Sequence, residues 1–177
     1  MNTSPLPPLA PPRLPDGLPP LDAGSSAHSA RVEAHLLEQI AQRPDGILAF
    51  DVWMAQALYA AGLGYYAAGT TKFGAHTPAG DFTTAPEMTP VFGQVLARQV
   101  AEILRAAGSQ TVLEFGAGTG ALAAALIPAL RALGLDVQYR ILELSADLRV
   151  RQAQRLENLQ ADVQWLDTLP DAFEGCV

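Results

Sequence analysis

Three glycines, Gly116, Gly118 and Gly120, stand close together in the stretch TVLEFGAGTGALAAAL, which covers residues 111–126. An apolar run precedes them, and a run rich in alanine and leucine follows them. This order predicts a strand, a turn of bare backbone and a helix. Such a turn brings backbone N–H groups and the positive end of a helix dipole to one point, where an anion or a nucleotide can bind.

Two classes of nucleotide ligand fit this turn. Residues 116–121 satisfy the loose dinucleotide pattern G-x-G-x-x-G/A, and Glu143, which ends the next predicted strand, stands where an acid accepts both hydroxyls of a ribose. The compact spacing that includes Gly120 is typical of sites for S-adenosylmethionine. A Walker loop is excluded because no Gly-Lys-Ser/Thr follows the glycines. A purely structural turn is the third interpretation.

Glu114 favours S-adenosylmethionine over a dinucleotide. It lies two residues before Gly116, at the end of an otherwise apolar strand, where a buried carboxylate is unfavourable unless it is paired. The cationic amino group and the sulfonium of S-adenosylmethionine would pair with it, whereas a diphosphate would be repelled. Asp167, just after the third predicted strand, stands where such folds often contact the adenine. For all three acids the alternative is an ordinary solvated strand end or turn.

The apolar spacing along the chain predicts the elements that must position these residues. We expect helices over residues 28–42, 50–60, 89–107, 119–133 and 146–159, and strands over residues 111–115, 137–144 and 162–166. Alternation of strands and helices with short connections indicates a parallel sheet. The predicted class is therefore α/β, with a helical region before the sheet. The run LRVRQAQRL at 148–156 is interpreted as the solvated face of a helix.

Three regions are expected along the chain. Residues 1–27 are proline-rich and are predicted to be a disordered tail. Residues 28–108 form a helical region that contains a loop over 65–88, and loops of that length are usually functional or disordered. Residues 109–177 are predicted to form the first half of a Rossmann-like domain that binds S-adenosylmethionine.

The composition excludes some classes of function. A formal net charge of −7 over 177 residues argues against general nucleic-acid binding, which needs a basic face. No apolar run approaches the ~20 residues that span a bilayer, and the N-terminus lacks the features of a signal peptide, so we expect no membrane partner and a cytoplasmic location. Cys176 is the only cysteine, and the three histidines lack the spacing of metal ligands, so no metal site is expected.

Several segments together resemble a known family. They are ALYAAGLGYYAAG at 57–69, GDFTTAPEMTPVFGQVLA at 80–97, LEFGAGTGALA at 113–123 and LELSADLRVRQ at 142–152. With these the chain resembles, over about residues 30–177, the MidA family of class I S-adenosylmethionine-dependent methyltransferases, whose mitochondrial members serve as complex I assembly factors. The resemblance implies methyl transfer to a protein arginine. It also implies that the backbone of Gly116, Ala117, Gly118 and Gly120 carries the methionine moiety.

The resemblance also gives roles to the segment GDFTTAPE. Gly80, Phe82 and Thr84 would line the cofactor side, while Asp81 and Glu87 are the candidate acids that would orient a guanidinium and help to take up its proton. A plainer interpretation is that Thr84-Ala-Pro-Glu87 is a capping box that starts a helical turn. Two other functions stay open, a degenerate methyltransferase fold that acts as a binding or assembly protein, and a NAD-dependent oxidoreductase.

The chain stops where the family would continue into a fourth strand, which lies against the first and carries an Asn-Glu motif. We therefore expect a truncated product in which the edge of strand 111–115 is exposed. An unpaired apolar edge favours association with another chain. Self-association of the protein along this edge is the corresponding expectation.

Overall fold

The computed structural model describes residues 20–69 and 83–177 of the chain. Within these residues the helices and strands follow the predicted order, except that a short helix lies at the end of the segment 65–88 that was predicted to be a loop. The helices are α1 (Ala23–Ala41), α2 (Phe50–Tyr59), α3 (Ala85–Met88), α4 (Val91–Ala107), α5 (Ala121–Ala132) and α6 (Ala146–Leu156), and the strands are β1 (Thr111–Phe115), β2 (Gln138–Leu142) and β3 (Asp162–Leu166). A 3₁₀ turn, Glu157–Leu159, extends α6. None of the helices in the described residues is both long and apolar enough to cross a membrane.

The three strands form one parallel sheet with the order β1-β2-β3. In the register, Phe115, Leu142 and Leu166 end the three strands side by side. The carboxyl ends of all three strands therefore meet at one edge of the sheet. The predicted α/β fold with three parallel strands is confirmed, and β1 and β3 have the predicted bounds. Strand β2 is shorter than predicted at both ends.

The apolar core lies between the sheet and the helices α4 and α5. Leu104 of α4, Leu130 of α5 and Ile141 of β2 are completely buried in it. Burying one such side chain contributes about 1.5–3 kcal/mol. Gly93 allows the two helices to pack closely, since a Cβ there would lie 2.7 Å from the Cβ of Ala125. Gly108 ends α4 in the left-handed conformation, as the sequence predicts.

Helix α1 begins at Ala23, inside the segment that the sequence assigned to the tail. Asp22 explains the earlier start, because its side chain accepts a hydrogen bond from the backbone N–H of Ser25 at 2.9 Å and so caps the helix. Two histidines then join α1 to the chain that follows it. His28 contacts the carbonyl of Leu63, and His35 contacts the side chain of Gln56.

The outer edge of β1 is partly paired. Cys176 lies parallel to β1, donating its N–H to the carbonyl of Thr111 at 3.0 Å and accepting the N–H of Leu113 at 2.8 Å. The prediction that this edge is exposed along its length is therefore wrong for its first half. The sequence did not show the pairing because it joins residues that are far apart in the chain.

Gly175 makes this pairing possible. Its φ is 153°, and a Cβ at this position would lie 2.1 Å from the carbonyl oxygen of Thr111. We expect Gly175→Ala to displace the segment that carries Cys176. In the wild-type chain, burial shields the Cys176 thiol from solvent and raises its pKa above the ordinary value. Both effects slow its reaction with alkylating reagents.

The measurement is the rate of alkylation of Cys176, the only cysteine of the chain. Displacement should raise this rate at least about tenfold, because the thiol becomes accessible without local opening. Gly134→Ala is the matched control, since Gly134 also has a positive φ but its Cβ would meet no atom within 4 Å. An unchanged rate in Gly175→Ala would show that the crowding at Thr111 is relieved without displacing the segment.

Candidate functional site

The glycine loop connects the end of β1 to the start of α5. All three of its predicted glycines have positive φ, 59° at Gly116, 55° at Gly118 and 81° at Gly120, a conformation that other residues rarely adopt. The N–H of Gly116 donates to the carbonyl of Leu142 at 2.9 Å, which joins the loop to the end of β2. A Cβ built on Gly116 meets no atom within 4 Å, so the space beside this residue is open. Ala117 points into the core.

Glu143 follows β2 directly and is almost completely buried. Its Oε1 accepts the backbone N–H of Ser145 at 2.9 Å, and its Oε2 accepts the side-chain amide of Gln152 at 3.2 Å. Each carboxylate oxygen can accept more than one hydrogen bond. The buried carboxylate is therefore held in a fixed direction and retains acceptor positions for the hydroxyls of a ligand.

Glu114 lies near the end of β1, beside the glycine loop. Its Oε2 accepts the hydroxyl of Tyr139 at 2.7 Å. Burial raises the pKa of Glu114, the hydrogen bond from Tyr139 acts in the opposite direction, and the charge of Glu143 raises the pKa further. The pKa of Tyr139 lies far above its usual range because of burial and the charge of Glu114. The partly buried Glu114 and the buried Glu143 thus make this edge of the sheet electronegative.

Gln152 of α6 was missed from the sequence and lies at the centre of the site. Gln152 is completely buried, and Leu148 and Leu156 are almost completely buried. The interpretation of residues 148–156 as a solvated face is therefore wrong for this side of the helix. The i, i+4, i+8 spacing of the three residues is the signal of a buried stripe that was available. A glutamine in such a stripe indicates a buried polar contact.

Arg149, also on α6, joins the ends of β2 and β3. It donates to the carbonyls of Glu143 and Leu166 at 2.6 and 2.7 Å, and it forms an ion pair with Asp167 at 2.8 Å. The side chain of Asp167 is 88% exposed. Asp167 thus lies at the same edge of the sheet as Glu114 and Glu143, with its carboxylate in solvent. Its contact with an adenine stays a prediction.

Glu87 of α3 lies against the glycine loop. Its carboxylate accepts the hydroxyl of Thr119 and pairs with Arg155 of α6 at 3.2 Å, and Thr119 also contacts Arg155. Thr84 is exposed and makes no side-chain capping bond, so the capping box is not formed. The catalytic role of Glu87 and the cofactor role of Thr84 stay predictions. The candidates Gly80, Asp81 and Phe82 lie outside the described residues.

The helical region reaches the same edge of the sheet through Ser145. This residue caps α6 and donates its hydroxyl to the carbonyl of Tyr66 at 2.6 Å. The ring of Tyr66 stacks on that of Tyr59, with centroids 5.7 Å apart. Burial, followed by the charge of Glu143, raises the pKa of Tyr59. The segment after α2 therefore packs close to Glu143, and sequence reasoning named neither tyrosine.

Comparisons with known proteins agree with this geometry. Residues 95–177 match a family model with the description "Putative S-adenosyl-L-methionine-dependent methyltransferase". The crystal structure of a COG1565 superfamily member from Burkholderia thailandensis bound to S-adenosyl-homocysteine is similar, with a TM-score of 0.76 and 45% identity, covering 90% of this chain and 42% of that chain. A native structure of a COG1565 superfamily protein from the same organism gives 0.69 and 44%, covering 90% and 40%. No curated protein matches the sequence.

The chain thus spans about two fifths of the length of each of these solved structures. The segment that the family model matches includes β1, the glycine loop and α6, and with them Glu114 and Glu143. The chain carries the α/β fold of S-adenosylmethionine-dependent methyltransferases, with the glycine loop, the buried Glu143 and the partly buried Glu114 at the carboxyl edge of its sheet.

Proposed function

We propose that the chain binds S-adenosylmethionine and is the cofactor-binding part of a methyltransferase of the MidA family. The observation that carries the proposal is the pair of acids at the end of β1 and just after β2, the partly buried Glu114 and the buried Glu143, next to the glycine loop. A buried carboxylate needs a compensating partner, and this ligand offers a cationic amino group and two ribose hydroxyls. A diphosphate offers neither to Glu114, which disfavours NAD.

The residues present fit the ligand. The open space beside Gly116 leaves the backbone of the glycine loop accessible, and the amino end of α5 adds its dipole. Glu143 would accept the ribose hydroxyls with the acceptor positions that Ser145 and Gln152 leave free. Glu114 would face the cationic methionine end. Bound S-adenosylmethionine supplies a methyl group on an activated sulfonium.

The chain would contribute to the reaction by aligning the reactants and by providing charged groups. A direct displacement needs the two reacting atoms held in line, so the protein contributes mainly by fixing the ligand. The network around Glu87 holds α3 against the glycine loop. We propose a protein arginine as the acceptor, with Asp81 and Glu87 as the acids that orient its guanidinium, and a cytoplasmic location.

Calorimetric titration of the chain with S-adenosylhomocysteine tests the proposal, with NAD as the control ligand. We expect a dissociation constant on the order of micromolar for the first and no binding of the second. Binding of NAD alone would favour an oxidoreductase instead. Labelled S-adenosylmethionine with an arginine peptide and its lysine counterpart then tests the acceptor, and retention of the cofactor without transfer would favour a binding protein.

A further inference from the structure

Gln152 connects three parts of the chain through one buried side chain. Its Nε2 donates to the carbonyl of Gly118 at 2.9 Å and to Oε2 of Glu143 at 3.2 Å. Its Oε1 accepts the indole N–H of Trp165 in β3 at 2.7 Å. The glycine loop, the acid after β2 and the strand β3 thus share this amide.

The chemistry of the three partners fixes the direction of the amide. The indole N–H of Trp165 is only a donor, so it must face the amide oxygen. The carbonyl of Gly118 and the carboxylate of Glu143 are acceptors, so they must face the amide nitrogen with its two hydrogens. A glutamine can satisfy all three partners at once, whereas a methionine of similar size satisfies none of them.

We propose that Gln152 is a positioning residue for the bound nucleoside, setting the direction of the Glu143 carboxylate relative to the glycine loop. This inference rests on the proposed function, in which Glu143 accepts the ribose hydroxyls. The N–H of Ser145 donates to one carboxylate oxygen of Glu143, and the amide of Gln152 donates to the other. Without the amide, one oxygen is free to turn, and the hydroxyls lose a fixed acceptor.

The two ends of the network make the effect specific. The amide also holds the carbonyl of Gly118, so that the loop and the acid keep one spacing. A Cβ at Gly120 would lie 3.4 Å from the Cα of Gln152, which shows how closely α6 packs against the loop. Loss of the amide therefore weakens the ribose contact directly, through Glu143, and the methionine contact indirectly, through the glycine loop.

The test compares the affinity of S-adenosylhomocysteine with that of its 2′-deoxy analogue in the wild-type chain and in Gln152→Met. In the wild type, removing the hydroxyl should weaken binding about tenfold, because Glu143 loses its partner. In Gln152→Met, we expect S-adenosylhomocysteine to bind at least about tenfold more weakly, with the two ligands within about twofold of each other. If Gln152 only supported folding, its replacement would weaken the binding of both ligands by the same factor.

Leu156→Met is the matched control, since it changes a buried apolar residue of the same helix without touching a hydrogen bond. It should keep the wild-type discrimination. Trp165→Phe keeps Gln152 and removes the donor to its Oε1, together with part of the aromatic ring. A folded Trp165→Phe should show reduced discrimination, so this variant tests the inference if Gln152→Met does not fold. Full discrimination in Gln152→Met or in a folded Trp165→Phe would overturn the inference. Failure of the wild type to bind S-adenosylhomocysteine would instead overturn the proposed function, and this inference with it.

Discussion

Gly118→Val should lose the binding of S-adenosylhomocysteine. The φ of Gly118 is 55°, and a β-branched residue in this region is strained by about 1–3 kcal/mol. The backbone cannot turn to a relaxed conformation freely, because the Gly118 carbonyl accepts the amide of Gln152 and that hydrogen bond is worth about 0.5–1.5 kcal/mol. Relief of the strain therefore requires the loop to move away from the conformation that binds the ligand, so we expect the affinity to fall at least about tenfold.

Gly134→Val is the control for strain alone. Gly134 has a φ of 80°, its Cβ would meet no atom within 4 Å, and it follows α5 at the end remote from the glycine loop. The valine there should lower the melting temperature while S-adenosylhomocysteine binds as in the wild type. Calorimetry and thermal melts of both variants separate the two effects. Affinity in Gly118→Val within about threefold of the wild type would contradict the role of the loop.

The features that the sequence predicted well depend on short segments. Apolar runs and breaks determine β1 and β3, and a strand that meets glycines and then a helix former specifies the loop. Gly108 ends α4 as expected, because a single glycine suffices for the left-handed cap. Glu143 was named because its place at the end of a strand is itself a local property.

The features that the sequence left open depend on side chains that meet across the fold. The spacing of Thr84 and Glu87 fits a capping box, yet Glu87 instead pairs with Thr119 and Arg155, which only the packing of α3 brings near. The amide of Gln152 has partners in the glycine loop and in β3. Pattern reasoning gives the face on which a residue lies, and the partner on the other side comes from tertiary structure.

Tyr139 is another contact that the sequence did not predict. Glu114 was expected to pair with a cationic ligand, but its carboxylate already accepts a hydrogen bond from Tyr139. Tyr139→Phe removes that donor and leaves a partly buried carboxylate without its hydrogen bond. A hydrogen bond to a charged group contributes about 1.5–3 kcal/mol, so we expect a loss of this size in the free energy of unfolding where Glu114 is ionised. The variant is otherwise nearly isosteric, and Tyr139 is completely buried.

The loss should depend on pH. Because the pKa of Glu114 is raised above its ordinary value of 4.5, the folded state binds the proton more tightly than the unfolded state, and stability falls as pH rises from there through the folded pKa. Without Tyr139 the folded pKa rises further, so the fall extends to higher pH. The deficit of Tyr139→Phe relative to the wild type should therefore be small in acid and full above the folded pKa.

Denaturant unfolding at a series of pH values measures this difference, and titration of the other acids cancels between the two proteins. In a Glu114→Gln background the carboxylate is absent, so Tyr139→Phe should lose less, and by an amount independent of pH. Protonation of Glu114 weakens the binding of a cationic ligand, so the affinity for S-adenosylhomocysteine should be lower in Tyr139→Phe than in the wild type. The difference should be largest between the folded pKa values of the two proteins. A deficit equal at every pH and in both backgrounds would mean that Tyr139 acts by packing alone, and that Glu114 stays neutral and has no charge to offer the ligand.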